Sequence, residues 1–201
     1  MNSKGKLFIL SAASGTGKTS LANALVEGLP DLEFSVSHTT RAPRPGERHG
    51  AHYYFVRRAE FDAMVARGEF LEHATVFGNS YGTARAEVEQ RLGRGESVVL
   101  DIDWQGARTV KRLLPEAVSI FILPPSRAAL EERLIKRGQD SPATIARRMA
   151  EAVSEMRHYP EFDYVVVNDD FDAALSDLRA IILGRGAPRP PTLDPAELLR
   201  D

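Results

Sequence analysis

The sequence predicts an α/β protein, a parallel sheet core with packed helices, organised around a phosphate-binding loop. Three observations predict it. Apolar, β-branched runs (KLFILS, SVVLDID, AVSIFIL and DYVVVN) are each followed by a helical pattern, the alternation expected of buried parallel strands. The first run leads straight into SAASGTGKTS, Ser11–Ser20, which carries most of the pattern G-x-x-x-x-G-K-[ST]. Two stretches of different character, one turn-rich and one helical and rich in arginine, interrupt the alternation.

Taken in order, KLFILS is a short buried strand, the glycine loop follows, and SLANALVEGL is a helix. From residue 34 to 94 the chain turns polar and aromatic. FSVSHTTR, the turn-forming RAPRPGERHG, HYYFV and GEFLEHATVF read as antiparallel strands of an inserted mixed α+β lobe. The core resumes with SVVLDID and the helix around WQGARTVKRLL, then AVSIFIL and the helix around SRAALEERLIKRG. Residues 127–159 form a charge-rich helical hairpin, broken at RGQDS, that suits a lid. DYVVVN and FDAALSDLRAII close the core. The expected organisation is a core of residues 1–33, 95–126 and 160–184, a lobe over 34–94, a lid over 127–159 and a loosely packed proline-rich tail over 185–201.

The composition narrows the function classes. The 201 residues suit one domain with small inserted lobes. The 26 basic and 28 acidic side chains leave a net charge of −2, so no overall field favours nucleic acid or an anionic membrane as partner. The absence of cysteine excludes disulfides and thiolate metal sites and fits a reducing cytoplasm. No apolar run approaches the length of a membrane span, and the opening MNSKGKLFIL lacks the features of a signal peptide. His49 and His52 have a metal-like spacing but no third ligand.

The glycine loop lies between a strand and a helix, the setting a phosphate cradle requires. The segment Ala12, Ala13, Ser14, Gly15, Thr16 and Gly17 would offer successive backbone N–H groups to phosphate oxygens at a helix N-terminus. Lys18 would reach the β- and γ-phosphates of ATP and Thr19 would bind Mg²⁺. Ala12 stands where the pattern has its first glycine, and alanine fits if φ is negative there. LDIDWQG ends a buried strand in two acids. Asp101 is the candidate for the Mg²⁺ shell, acting through water. Asp103 lies two residues on, on the same face of an extended strand. Helix capping is the alternative reading of both.

SHTTRAPRPGE, FLEHATVFGNSYGT, LDIDWQGA, IFILPPS, RLIKRGQDS and VVVNDDF, together with the loop, resemble the guanylate kinase family in its bacterial form, from Lys6 to about Leu183. The resemblance implies a nucleoside monophosphate kinase fold and transfer of phosphate from MgATP to GMP. It implies that Arg41, Arg44, Tyr53 and Tyr81 hold the GMP phosphate. Ser37, Glu72, Thr83 and Asp103 would surround the guanine, with Asp101 also on the GMP side. In the lid, Arg133, Arg137 and Arg148 would close over the phosphates. Asn168 would lie near the adenine.

The residue types make chemical sense of that assignment. Guanine presents N1–H and N2–H₂ side by side, and a carboxylate such as Glu72 accepts both. Adenine offers an acceptor at N1 and would leave the carboxylate badly paired, a discrimination of as much as about 10⁴–10⁵. Arginine grips phosphate through two parallel hydrogen bonds. The rival readings are a scaffold domain that binds protein partners, a related kinase with another substrate, and a nucleic-acid-binding ATPase. Retention of Lys18, Thr19, Arg41 and Arg44 favours an enzyme over the first. The guanine-facing set disfavours the second, and the balanced charge the third. Oligomeric state is not legible in the sequence.

Overall fold

The computed structural model describes residues 5–76, 78–136, 141–185 and 194–199. In chain order its elements are β1 (Leu7–Ala12), α1 (Lys18–Glu27), β2 (Leu32–Phe34), β3 (His38–Thr39), β4 (Tyr54–Phe55), α2 (Arg58–Ala66), β5 (Phe70–Val76) and β6 (Asn79–Ala84). There follow α3 (Arg85–Gly93), β7 (Ser97–Asp101), α4 (Trp104–Leu113), β8 (Val118–Leu123), α5 (Arg127–Lys136), α6 (Pro142–Met156), β9 (Tyr164–Val167) and α7 (Phe171–Ile182). The chain divides into two units, Met1–Ile9 with Asp31–Ala117, and Leu10–Pro30 with Val118–Asp201. The stretches 34–94 and 127–159 each fall within one unit, and β1 runs from the first unit into the second.

In the first unit β2, β7 and the start of β1 lie in that order. β2 and β7 are parallel, with Leu32 opposite Ser97 and Phe34 opposite Val99. The apolar centre of β7, Val98–Leu100, is buried, as a strand covered on both faces requires. The same unit carries a four-stranded sheet in the order β4-β3-β6-β5. β5 and β6 form an antiparallel hairpin, and Gly78, with φ 78°, supplies the left-handed residue a tight turn needs. β3 is antiparallel to β6 but parallel to β4, so one pairing differs from the antiparallel arrangement expected. The physical reason lies in the long connection between Thr39 and Tyr54, which lets the chain return in the same direction.

The register of the hairpin shifts between Phe70 and Glu72. Phe70 faces Ala84 while Glu72 faces Thr83, so β5 carries one extra residue. Three consecutive side chains, Phe70, Leu71 and Glu72, are accordingly buried, which strict alternation would forbid. Phe70 stacks on the buried Phe61 of α2 at 4.7 Å between ring centroids. β7 ends at Asp101, and Asp103, although its backbone is extended, is no longer part of the strand. It caps α4 instead, and its Oδ1 accepts from the N–H of Gly106 at 2.9 Å.

In the second unit the rest of β1 is followed by β8 and the parallel β9, with Ile120 opposite Tyr164 and Leu123 opposite Val167. β8 is apolar except for Ser119 and is almost wholly buried. Helix α6 starts at Ser141, whose hydroxyl accepts the N–H of Thr144, with Pro142 at the first helical position. Asp170 caps α7 in the same way. Ala13, Phe121, Leu123, Leu130, Leu134, Ala152, Val153, Met156 and Val167 form one core cluster, so α5 and α6 pack through their apolar faces onto β8 and β9. Leu198, in the 3-10 turn Pro195–Leu199, is buried in this cluster. That part of the tail is therefore anchored rather than loosely packed. No helix among the described residues is long and apolar enough to cross a membrane.

Candidate functional site

Each unit carries part of the predicted constellation. In the second unit the loop begins where β1 ends. Ala12 is the last residue of that strand, an extended conformation alanine adopts freely, so the missing glycine costs the backbone nothing. Gly15 and Gly17 take φ of 90° and 93°, the left-handed region that side chains avoid. Gly17 is the N-cap of α1, and Lys18 and Thr19 are its first residues. Lys18 is half-buried and Thr19 is exposed.

The outer side of the loop is tied down. Thr16 is fully buried, and its hydroxyl donates to the Ala13 carbonyl at 3.0 Å. The Thr16 carbonyl accepts from Asn168 Nδ2 at 2.7 Å and from an Arg133 guanidinium nitrogen at 3.2 Å. The other terminal nitrogen of Arg133 donates to the Asn168 carbonyl at 2.9 Å. Glu155 of α6 accepts the N–H of Ser14 at 3.2 Å. Of the expected lid arginines, Arg133 is thus engaged with loop backbone, Arg148 is half-buried on α6, and Arg137 lies outside the described residues. Asn168 follows β9 and is buried.

In the first unit the segment after β3 is organised by Glu47, a residue sequence reasoning passed over. Its two oxygens accept from the Arg41 guanidinium at 2.8 Å and from the Arg44 backbone N–H at 2.7 Å. The hydrogen bond from Arg41 holds the Glu47 carboxyl below its ordinary range. The Arg41 guanidinium also lies over the ring of Tyr53, 5.4 Å from its centroid. The rings of Tyr53 and Tyr81 meet edge-on at 6.0 Å. Burial first, then the charge of Asp101, pushes the Tyr53 hydroxyl up to about 12, so it remains a donor at neutral pH. Arg44 is exposed, and Asp101 is half-buried at the end of β7.

The bulge in β5 puts Glu72 opposite Thr83 on the same side of the hairpin. Glu72 is buried, and Thr83, fully buried, donates to its Oε1 at 2.6 Å. Burial is the main cause that pushes the Glu72 carboxyl up to about 7, with the charge of Asp103 adding to it and the Thr83 hydrogen bond opposing it. Helix α4 passes close by: a Cβ on Gly106 would stand 2.6 Å from Glu72 Oε2. Asp103 also takes a hydrogen bond from Gln105 at 3.0 Å. Ser37 is half-buried, its carbonyl accepting from the N–H of Tyr54.

His49 and His52 serve the local turn. Each Nδ1 accepts a backbone N–H, from Phe55 at 3.2 Å and Arg48 at 3.0 Å respectively. Among the described residues no group of three or more histidines and acids is placed to hold a metal ion.

A family model described as guanylate kinase matches residues 4–184. The chain is 60% identical over 183 residues to a guanylate kinase of Shewanella sp. (strain MR-7), covering 90% of this chain and 88% of that protein. It is 61% identical over 179 residues to a guanylate kinase of Methylococcus capsulatus, covering 89% and 88% of the two chains. Its fold is similar to the crystal structure of guanylate kinase from Anaplasma phagocytophilum, with a TM-score of 0.77, 38% identity and coverage of 92% and 87%.

Proposed function

The chain belongs to the guanylate kinase family and is a nucleoside monophosphate kinase; we propose that it transfers the γ-phosphoryl group of ATP to GMP, and also to dGMP, in cytoplasmic recycling of purine nucleotides. The observation that carries the reading is the buried Glu72–Thr83 pair. A carboxylate in a dry site is costly unless a ligand supplies donors, and guanine supplies two, at N1 and N2. Once they do, the Thr83 hydroxyl is free to turn toward O6, together with Ser37. Asp103 acts on the base from the cap of α4.

Arg41 and Arg44 grip the GMP phosphate, with the hydroxyls of Tyr53 and Tyr81 as further donors. Glu47 holds the Arg41 guanidinium and the Arg44 backbone, so less freedom is lost when the phosphate arrives. On the donor side the amides of Gly15, Gly17 and Lys18 cradle the ATP phosphates, while the Ser14 amide is held by Glu155. The Lys18 ammonium and the guanidinium groups of Arg137 and Arg148 offset the charge that builds during transfer.

The GMP phosphate is largely ionised at neutral pH, its second pKa lying near about 6, so the nucleophile needs no strong general base. The protein's task is to align two anions in line and exclude water. Mg²⁺ fits the loop: the exposed Thr19 hydroxyl suits an ion that keeps most of its waters and binds substrate phosphates. When bound it neutralises charge on the β- and γ-phosphates.

A coupled assay of ADP formation tests the proposal, with GMP, AMP, CMP and UMP offered in turn. Rapid turnover of GMP alone is the expected result. Absence of turnover on every monophosphate by the folded protein overturns the reading.

A further inference from the structure

We infer that Asn168 and Arg133 act on the donor nucleotide through the backbone of the glycine loop, as positioning residues, and not through the adenine or the phosphates directly. A phosphate cradle turns its N–H groups inward and so turns carbonyls outward, where each needs a donor. The Thr16 carbonyl is such a group, at a fully buried residue, and it receives two donors. The Asn168 contact is the shorter at 2.7 Å, and since a carbonyl only accepts, the Asn168 amide presents its nitrogen there.

Asn168 is itself fixed on both sides. Its N–H donates to the Leu123 carbonyl at 2.8 Å, and its own carbonyl takes the second arm of Arg133 at 2.9 Å. The side chain also lies against Gly17. A Cβ on that glycine would stand 2.5 Å from Asn168 Nδ2, so the left-handed turn that opens α1 and the Asn168 amide define one another's place. Glu155 adds a third tie, at the Ser14 N–H. The frame thus links the end of β9, α5 and α6 to Ser14, Thr16 and Gly17 of the loop. Three side-chain nitrogens, Asn168 Nδ2 and both terminal nitrogens of Arg133, are directed at backbone carbonyls.

This rests on the reading of the loop as an ATP site, and the test separates the two. The full chain is titrated with MgATP and with magnesium tripolyphosphate, which has the phosphates and no base. Asn168→Asp keeps the shape and loses the donor; Arg133→Lys keeps the charge and loses the fork. Positioning predicts that both ligands weaken by the same factor, about tenfold for Asn168→Asp and less for Arg133→Lys, with KM for GMP unchanged. A loss confined to ATP, or no loss for either ligand in variants that melt like the parent, overturns the inference. Parent protein that binds ATP but not tripolyphosphate also overturns it. Parent protein that binds neither ligand refutes the ATP-site reading itself.

Discussion

On the proposed reading, lowering the pH from 8 to 6 removes most of the negative charge that recognises guanine. The Glu72 carboxyl is pushed up to about 7, chiefly by burial. At pH 8 about nine-tenths of the ligand-free molecules carry the carboxylate, and at pH 6 about one-tenth. If only the carboxylate accepts from N1–H and N2–H₂, KM for GMP rises roughly tenfold over that interval. Part of any rise comes from protonation of the GMP phosphate, with its pKa of about 6. The Glu72→Gln variant separates the two, because the phosphate titrates in both proteins and Glu72 in only one.

Calorimetry in two buffers of different ionisation enthalpy reads the same linkage directly. GMP binding at pH 7 releases about half a proton more from the parent than from the variant. The same shift sets a stability effect of opposite sign. The unfolded chain loses the Glu72 proton near its ordinary value of 4.5 and the folded one near 7, so folding stability falls as pH rises between them. At about 1.4 kcal/mol per pH unit, the full penalty above pH 7 is roughly 3 kcal/mol. Glu72→Gln therefore stabilises the ligand-free protein at pH 8 and has little effect at pH 4.5. Equal proton release by both proteins, with a parent KM that is flat from pH 6 to 8, would refute the reasoning.

Gly106→Ala forces a methyl group to within 2.6 Å of Glu72 Oε2, so either α4 or the carboxylate must move. KM for GMP rises by about tenfold while KM for ATP is unchanged, as steady-state kinetics with each substrate varied would reveal. Glu47→Ala releases the Arg41 guanidinium and the Arg44 backbone together. The expected loss is about five- to tenfold in GMP affinity, with Glu47→Gln recovering part of it through its remaining acceptor.

Much of the architecture was legible because it depends on local pattern. Val118–Leu123, apolar but for Ser119, allows little but a buried strand, and the glycine turn that ends at Gly17 joins a strand to a helix as the pattern requires. Pattern alone could not show what one extra residue does. The bulge that turns Glu72 toward Thr83 leaves no mark in the hydrophobic alternation, although three buried residues in a row at Phe70–Glu72 are its trace. The run LDID fits both an extended Asp103 and a helix cap, and the structure has both: the Asp103 backbone is extended and its carboxylate caps α4. The ties to the loop lay furthest out of reach. Asn168 and Thr16 are 152 residues apart, and nothing near either one announces the other. Glu47 was readable in principle, since a carboxylate six residues after Arg41 across a Pro-Gly turn is well placed to return to it.

The central claim is that a buried carboxylate at Glu72 selects guanine. The most direct measurement is kcat/KM for GMP relative to AMP, in the parent and in Glu72→Gln. The parent should prefer GMP by about 10⁴ or more, and the variant should lose most of that preference, since its amide offers guanine one acceptor and one mismatched donor. A variant that discriminates as well as the parent would contradict the account, and would place base selection in residues other than Glu72.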